Sequence, residues 1–344
     1  MLAATPPVTT RWAPSRPAWR AAAATTLGLH VVALLAVVTI VFALPRAMPG
    51  DPLAALQDPS SSSYLSDPVV REHLQAQYGL DRPLGEQYVS YLADLGRGDL
   101  GWSIERRAPV TSIVGDHLPW TLLLLGTALV VSAVISFFAG VNAAWLRGTA
   151  PDRILLVVMA GTRAVPPYAM AALLLLTFAV LLPVFPLSGA TTAFAEYDSA
   201  WERVADTARH LALPGAALTI VLLGSKFLLV RNTMVSALGE DYMLLARAKG
   251  LPTRLMKYHH AGRNALLPFV TLMAAELGFV IGPLIFVEAV FGYPGMGSLV
   301  LRAVMTRDYP VLEASFLVLA VVVLVANFLA EAAYARLDPR ALAA

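Results

Sequence analysis

The sequence predicts an all-α integral membrane protein with about six transmembrane helices. Its composition is 58% hydrophobic and only 14% charged, whereas a soluble chain is about 45–50% apolar and about 25% charged. The apolar residues also fall in continuous runs of about 20, the length that a helix needs to cross roughly 30 Å of hydrocarbon. The runs do not alternate as barrel strands do, so helices are the structure that satisfies their backbone in lipid.

Six runs are long enough to span a membrane and nearly free of charge. They are Ala22 to Leu44, Leu118 to Trp145, Ile154 to Leu182, Leu211 to Val230, Ala265 to Val290, and Val311 to Tyr334. The first run is too long for the apolar region of a signal peptide, so we expect it to be a retained span. Residues 1–21 are predicted to be a disordered N-terminus, and residues 335–344 form a tail.

Positively charged residues collect on one side of this six-span arrangement, which the positive-inside rule assigns to the cytoplasm. They are Arg11, Arg16, Arg20, Arg147, Arg153, Arg231, Arg247, Lys249, Arg254, Lys257, Arg263, Arg336 and Arg340. A smaller group, Arg203, Arg209, Arg302 and Arg307, falls on the other side. The N- and C-termini are therefore predicted to be cytoplasmic.

Residues 45–117 are predicted to form an extracytoplasmic loop with short helices. Val69 to Tyr78 and Leu84 to Leu95 have helical patterns, and the segment Asp81-Arg82-Pro83 separates them.

The loop between the fourth and fifth runs predicts two short helices joined at a bend. Glu240 and Asp241 suit the positive end of a helix dipole, and Arg247 and Lys249 suit its negative end. Gly250 is placed to end the first helix, since glycine commonly occupies that position.

This cytoplasmic loop, residues 231–264, is expected to face water although it contains many apolar side chains. They are Tyr242, Leu244, Leu245, Leu251, Leu255, Met256 and Tyr258. Apolar side chains on a short exposed hairpin favour docking into the groove of a partner protein. An amphipathic linker that lies on the membrane surface is the alternative.

The loop resembles the coupling-helix loop of bacterial ATP-binding-cassette (ABC) import permeases, and in particular that of the dipeptide and oligopeptide branch. The resemblance rests on residues 241–251 and 263–268 of the loop, and on segments 47–52, 77–83, 98–101, 287–288, 291–297, 307–310 and 337–340. The family's motif has an acid and two alanines ahead of Gly250, where this chain has Leu244, Leu245 and Ala246.

The resemblance implies the fold of a type I ABC importer permease, with a permease core over residues 118–334, in the cytoplasmic membrane of a bacterium. It implies a second homologous permease, two ATPase subunits and an extracytoplasmic substrate-binding protein as partners, besides membrane lipid. The residues that it assigns to ATPase coupling are Glu240, Asp241, Tyr242, Leu245, Ala246, Arg247, Ala248, Lys249, Gly250, Leu251, His260, Arg263 and Asn264.

The implied cargo is a dipeptide or oligopeptide, with nickel complexes, glutathione or other small solutes as alternatives within the family. The chain has no Gly-x-x-x-x-Gly-Lys-Ser/Thr phosphate loop. We therefore expect a transport subunit that is not an enzyme and binds no cofactor, with ATP and magnesium held by the partner ATPases. The net charge of +2 does not suggest a nucleic-acid partner, and the absence of cysteine and the adjacent His259 and His260 do not suggest a metal site.

Ionisable groups within apolar runs are candidates for the transport pathway, because charge is costly in lipid. Glu276 and Glu288 are such candidates. The alternative for Glu288 is a position at the outer interface, and the alternative for Glu276 is a structural hydrogen bond towards a helix partner or an aqueous cavity. Lys226 is expected to snorkel towards the inner interface. Gly292, Pro294, Gly295 and Gly297 are predicted to form an outer loop, a re-entrant segment or an outer gate.

The third run is interrupted at Arg163, Pro166 and Pro167. The interruption predicts either a broken helix that lines a cavity or a kink near the cytoplasmic end with Arg163 snorkelling.

Two other classes of protein remain as alternatives to an ABC permease. An ion-coupled secondary transporter is expected to have coupling carboxylates in several spans and an inverted repeat, neither of which is evident here. An intramembrane enzyme is expected to have a nucleophile elbow, a zinc motif or paired aspartates. Asp152 and Asp198 are interpreted as loop residues without catalytic geometry.

Overall fold

The computed structural model describes residues 16–47 and 82–337. In chain order the helices are α1 (Arg16–Ala47), α2 (Leu84–Gly96), α3 (Val110–Trp145), α4 (Ala150–Ala164), α5 (Pro167–Leu175), α6 (Ala200–Ala237), α7 (Asp241–Ala248), α8 (Gly262–Phe279), α9 (Ile281–Val290), α10 (Met296–Thr306) and α11 (Tyr309–Leu337). Two π-helical stretches, Leu176–Leu181 and Leu255–Ala261, continue α5 and precede α8. Within these ranges the extended structure is limited to a bridge between Trp102 and Pro109.

The all-helical class is confirmed, and all six predicted apolar runs lie on helices. Over the residues described, three helices are long and apolar enough to cross a membrane, namely α3, α6 and the Tyr309–Ala330 part of α11. The number rises to five if each of two bent helix pairs forms one span. In α1 a shorter apolar segment covers Gly28–Ala43.

Several helices extend beyond the predicted apolar runs, because polar residues continue the helix past the lipid. Helix α1 begins at Arg16, inside the segment 1–21 that was predicted to be disordered, and residues 1–15 lie outside the described part. Helix α6 begins at Ala200, where the Ser199 side chain accepts a hydrogen bond from the Glu202 amide at 3.3 Å. This interaction is half of a capping box.

The predicted helix over Leu84 to Leu95 is confirmed by α2. The predicted helix over Val69 to Tyr78 and most of the tail after residue 335 lie outside the described residues. Helix α10 was not predicted, because its eleven residues follow a glycine-rich turn and are too few for a span.

The third run is a broken helix. The bend is 104° between α4 and the segment Pro167–Leu181, which consists of α5 and the π-helical stretch that continues it. The residue before a proline is held in extended conformation, and Val165 has φ −89° and ψ 124°. Of the two predicted alternatives for this run, the structure therefore has the broken helix and not the kink. A Cβ atom at Gly224 of α6 would come within 2.5 Å of Cγ of Arg163, so the stem of this arginine packs against α6.

The fifth run is also bent, by 59° between the helix Thr253–Phe279 and α9. Val280 separates the two segments and is buried. The bend directs α9 towards the Gly292–Gly295 turn and α10.

Helices α3 and α6 form the most extensive packing in the fold. A Cβ atom at Gly140 would lie 2.8 Å from Cβ of Val230, so the two backbones approach closely at this point. Buried side chains form clusters along these helices, one of which includes Val141, Met234 and Met243. We call the end of the bundle that contains α7 the hairpin end, and the end that contains the α9–α10 turn the opposite end.

Candidate functional site

Helix α7 ends in a Schellman motif, which fixes the bend that the sequence predicted. Gly250 has φ +67°, a conformation that suits glycine. The Leu251 amide donates to the Ala246 carbonyl at 3.2 Å, and the Gly250 amide donates to the Arg247 carbonyl at 2.9 Å. These two bonds are the pair that defines the motif, and they satisfy carbonyls at the end of a helix of 8 residues.

The two faces of α7 differ sharply in exposure. Met243 and Ala246 are buried and pack with Met256 and Ala261 on the following segment. On the other face, Leu244 and Leu245 are 59% and 56% exposed. Two large apolar side chains therefore face away from the chain at the tip of the hairpin.

The hairpin, residues 240–264, is tied to the bundle by polar contacts. The Asn264 Nδ2 donates to the Tyr242 hydroxyl at 2.6 Å, which joins α7 to α8. Burial raises the pKa of Tyr242 above its ordinary value. Lys257 Nζ donates to Oδ1 of Asn142 on α3, and the Tyr258 ring packs edge-on against Phe138.

The second arm of the hairpin differs from the prediction of a separate short helix. Residues Leu255–Ala261 are π-helical and continue directly into α8. A wide helical turn of this kind is rare and is frequently found at functional sites. The second arm of the hairpin and the first part of the fifth apolar run therefore form one continuous helix, Thr253–Phe279.

Most residues assigned to ATPase coupling are exposed. Exposed are Glu240, Asp241, Tyr242, Leu245, Arg247, Ala248, Lys249, Gly250, Arg263 and Asn264; Leu251 and His260 are half-buried; Ala246 is buried. Ten of the thirteen are therefore accessible, whereas Ala246 packs in the buried cluster with Met243. The role of these residues in coupling stays a prediction.

An ion pair missed by the sequence interpretation lies at the same end. Asp152 was interpreted as a loop residue, but it occupies the first turn of α4 and is buried. Its two oxygens accept from Nε and Nη2 of Arg231 on α6 at 2.7 and 2.8 Å. The Gly148 amide also donates to Asp152 at 3.0 Å. This two-point contact locks the start of α4 to the part of α6 that leads into the hairpin.

Lys226 does not snorkel, contrary to the prediction, because it is fully buried between α6 and α8. Its Nζ lies 2.5 Å from Oε2 of Glu276. Ser225 Oγ donates to the other oxygen of Glu276 at 2.5 Å. The Glu276 carboxylate therefore joins two apolar runs, which supports the structural alternative for this residue. Its predicted role in the pathway stays a prediction.

Glu288 at the opposite end is fully buried and has no access to solvent in this chain. Its Oε1 accepts from the Thr121 hydroxyl of α3 at 2.7 Å, and its Oε2 accepts from the Ser298 amide of α10 at 3.0 Å. The Met296 amide donates to Thr121 Oγ1 at 2.6 Å. The carboxylate thus caps the amino end of α10 and ties it to α3. This arrangement favours a structural role in the interior over both the predicted pathway role and a position at the outer interface.

The predicted outer-gate residues form the turn that leads to this cap. Gly292 has φ +54°. A Cβ atom at Gly295 would come within 2.1 Å of the Glu288 carboxylate, and one at Gly297 would lie 2.7 Å from Cα of Ile285. Pro294 is half-buried beside them. The glycines therefore permit close approach of backbone to carboxylate, and gating remains a prediction.

Asp308 forms a second buried contact that the sequence did not reveal. It accepts from the Ser103 hydroxyl at 2.5 Å and from the Ile104 and Glu105 amides at 3.3 and 3.2 Å. Arg307 precedes it with φ +56°. The contact fastens the loop before α3 to the junction of α10 and α11.

The described residues contain no group of three or more His, Cys, Asp or Glu side chains that could hold a metal ion.

Comparisons with known proteins indicate the family of the chain. Residues 119–342 match the family model described as binding-protein-dependent transport system inner membrane component. A Brucella ovis protein, whose name describes it provisionally as a peptide permease, is 36% identical over 308 residues, which are 89% of this chain and 94% of that protein. The glutathione transport system permease protein GsiC of Escherichia coli strain K12 is 33% identical over 313 residues, which are 91% and 95% of the two chains.

The family match and these relatives define the class of the protein, which is a membrane subunit of a transport system. The chain belongs to the family of binding-protein-dependent transport system inner membrane components, the permeases of ABC importers. This membership confirms the resemblance stated from the sequence and sets aside the secondary transporter and intramembrane enzyme as alternatives.

Proposed function

We propose that this chain is one of two permease subunits that move short peptides into the cell, driven by ATPase subunits that dock on the hairpin. The observation that supports this proposal is the exposed pair Leu244 and Leu245 on a hairpin whose other face is packed into the bundle. In this proposal the hairpin end is cytoplasmic, as are both termini. A substrate-binding protein delivers cargo at the opposite end.

The packing of the hairpin supports its use as a mechanical lever. A conformational equilibrium shifts only through contacts that differ between its two states. Met243 packs in one cluster with Val141 of α3 and Met234 of α6, and Tyr242 is bonded to Asn264 of α8. A partner that moves α7 therefore moves three apolar runs together, and ATP with magnesium acts within the ATPases.

The docking part of the proposal is tested by replacing the exposed leucines with aspartate. Leu244→Asp and Leu245→Asp place charge on the contact surface without disturbing the core. We expect the ATPase recovered with an affinity-tagged chain, and ATP-driven uptake, to fall on the order of tenfold or more, the effect of losing a buried anchor at an interface. The measurement is pull-down from native membranes with quantification of each subunit.

Leu84→Asp is the matched control, since Leu84 is also an exposed leucine, at 63%, but lies on α2 at the opposite end. It should leave ATPase recovery unchanged. Undiminished recovery with both hairpin variants would contradict docking at this surface.

The cargo part of the proposal rests on relatives whose names include a peptide permease and a glutathione permease. Glutathione is itself a peptide, so short peptides are the class common to both names. The test is uptake of radiolabelled dialanine, glutathione and nickel by proteoliposomes that contain the complete transporter. ATP-dependent uptake of either peptide supports the proposal, and uptake of nickel alone contradicts it.

A further inference from the structure

A cavity of about 470 Å³ opens at the opposite end, between the start of α3, the α9–α10 turn and α10. Its size lies in the range of small-molecule sites, about 300–1,000 Å³. Arg106, His117 and Arg302 supply cationic or ionisable groups to its lining. We call it the two-arginine pocket.

The two arginines of this pocket are not paired with carboxylates, in contrast to the cations that tie helices together in this fold. Elsewhere Arg46 pairs with Glu313 and Arg231 pairs with Asp152. Within residues 16–47 and 82–337, neither Arg106 nor Arg302 has a side-chain ion pair or hydrogen bond. Both side chains are exposed, so they retain their donors for a ligand.

The acidic group of the lining does not neutralise the pocket. Glu105 also lines the cavity, but its Oε2 accepts from the Thr306 hydroxyl at 2.9 Å. The lining therefore contains two guanidinium groups and one carboxylate, which gives the pocket a net positive charge. The His117 Nδ1 donates to the Ile113 carbonyl at 2.7 Å, so Nε2 of the neutral imidazole is an acceptor and the two arginines are the cationic groups of the pocket.

The remaining wall of the pocket is largely apolar. Tyr293, Leu299, Leu301 and Met305 contribute to it. A ligand that fits both features carries an anionic group of planar shape, which arginine binds through two parallel hydrogen bonds, attached to an apolar body.

We propose that the two-arginine pocket binds the free carboxylate of a small amphiphilic acid, such as the C-terminal carboxylate of a short peptide with an apolar last residue. The choice of a peptide rests on the proposed function, whereas carboxylate binding does not. The Ser298 residue lines the pocket and donates its amide to Glu288. A ligand bound there therefore touches the helix whose amino end is held by the buried cap.

Binding is tested on the purified complete transporter in neutral phosphatidylcholine nanodiscs, with arginine modification by phenylglyoxal followed by mass spectrometry. The probes are N-acetylphenylalanine and its amide, which differ only in the carboxylate. We expect modification of Arg106 and Arg302 to slow severalfold with the acid and to be unaffected by the amide. Arg107, next in sequence and exposed but outside the pocket, is the internal control.

Equal protection by acid and amide, protection of neither arginine, or no reaction of either arginine without a probe would overturn the proposal. An equal slowing at Arg107 would do so as well, since it would indicate a bulk effect of the anion.

Transport supplies a second readout in the double variant Arg106→Gln/Arg302→Gln. We expect the KM for Ala-Phe uptake to rise about tenfold or more, as for a lost charge-assisted contact, with no change for Ala-Phe amide. Arg107→Gln should transport both as the unmodified chain does. If the unmodified transporter moves neither compound, Ala-Phe is not its cargo, and the modification experiment decides on the pocket.

Discussion

At the scale of single residues, the fold depends on carboxylates that are buried or half-buried within a bundle of apolar helices. Glu288 and Asp308 accept backbone amides and hydroxyls, and Glu276 is paired with a lysine. A buried charge without partners is costly, so each group is accompanied by donors from a second segment. Close approach of the backbone to Glu288 also demands glycine.

Gly297→Ala should destabilise the chain by about 1–3 kcal/mol, the cost of overpacking a core. The added Cβ would lie 2.7 Å from the backbone Cα of Ile285, which has no flexible end to move aside. Thermal unfolding in mild detergent measures the effect. Gly278→Ala is the control, because nothing lies within 4 Å of its added Cβ and a helical alanine stabilises by roughly 0.5–1 kcal/mol. Equal melting temperatures for both variants would disprove the packing argument.

Glu276→Gln should destabilise the chain strongly, by roughly 3–5 kcal/mol for a buried pair that loses one partner. The reason is that Lys226 is fully buried and would keep its charge without a counter-ion. The double variant Lys226→Met/Glu276→Gln should recover much of the loss. Thermal unfolding of the two variants and the unmodified chain gives the comparison, and a double variant less stable than Glu276→Gln would argue against the pair.

At the scale of elements, irregular backbone occurs where helices must change direction. The 104° break between α4 and α5 follows from prolines, and the 59° bend before α9 places the Glu288 cap. In the hairpin a glycine in the left-handed region joins two helical arms. Proline and glycine in the local sequence account for the break between α4 and α5 and for the bend of the hairpin.

Gly250→Ala should weaken the hairpin by about 1–2 kcal/mol, the cost of the left-handed conformation for a residue with a Cβ. The space around the glycine is open, so sterics with neighbours add nothing. Gly250→Asn should cost less, because asparagine tolerates this conformation better. ATPase recovery in the pull-down and thermal unfolding report the change. The argument from backbone conformation is refuted if Asn and Ala weaken docking equally.

At the scale of the whole molecule, the hairpin end and the opposite end carry different chemistry. Asp152–Arg231 and the hairpin contacts lie at one end, whereas the Glu288 cap and the two-arginine pocket lie at the other. Such a division suits a transporter that meets an ATPase on one side and cargo on the other. The orientation of these ends in the membrane is open to direct test.

Single cysteines should report that orientation cleanly, because the chain contains no cysteine. In right-side-out membrane vesicles, a membrane-impermeant maleimide should label Leu84→Cys at once and Arg147→Cys only after permeabilisation. Both positions are exposed, at opposite ends of the bundle. Met243→Cys, at a fully buried position, is the control that should stay unlabelled in both conditions. The reverse order for the first two variants would invert the proposed topology.

The sequence alone determined the class of protein, the positions of its apolar helices and the place of the hairpin, whereas the structure was needed to separate the exposed Leu244 and Leu245 from Met256, which is buried. These features depend on local composition, on helix end signals and on family motifs, as the bend at Gly250 illustrates. The family assignment followed from the same local segments, since residues 119–342 match the family model.

Only the tertiary structure decided which charged groups meet. Thr121 and Glu288 are 167 positions apart, and Ser103 and Asp308 are 205 apart. No local pattern indicates such pairs, because they depend on how bent helices pack against each other. For the same reason Lys226 appeared from its position in the chain to be a snorkelling residue, although helix packing buries it against Glu276.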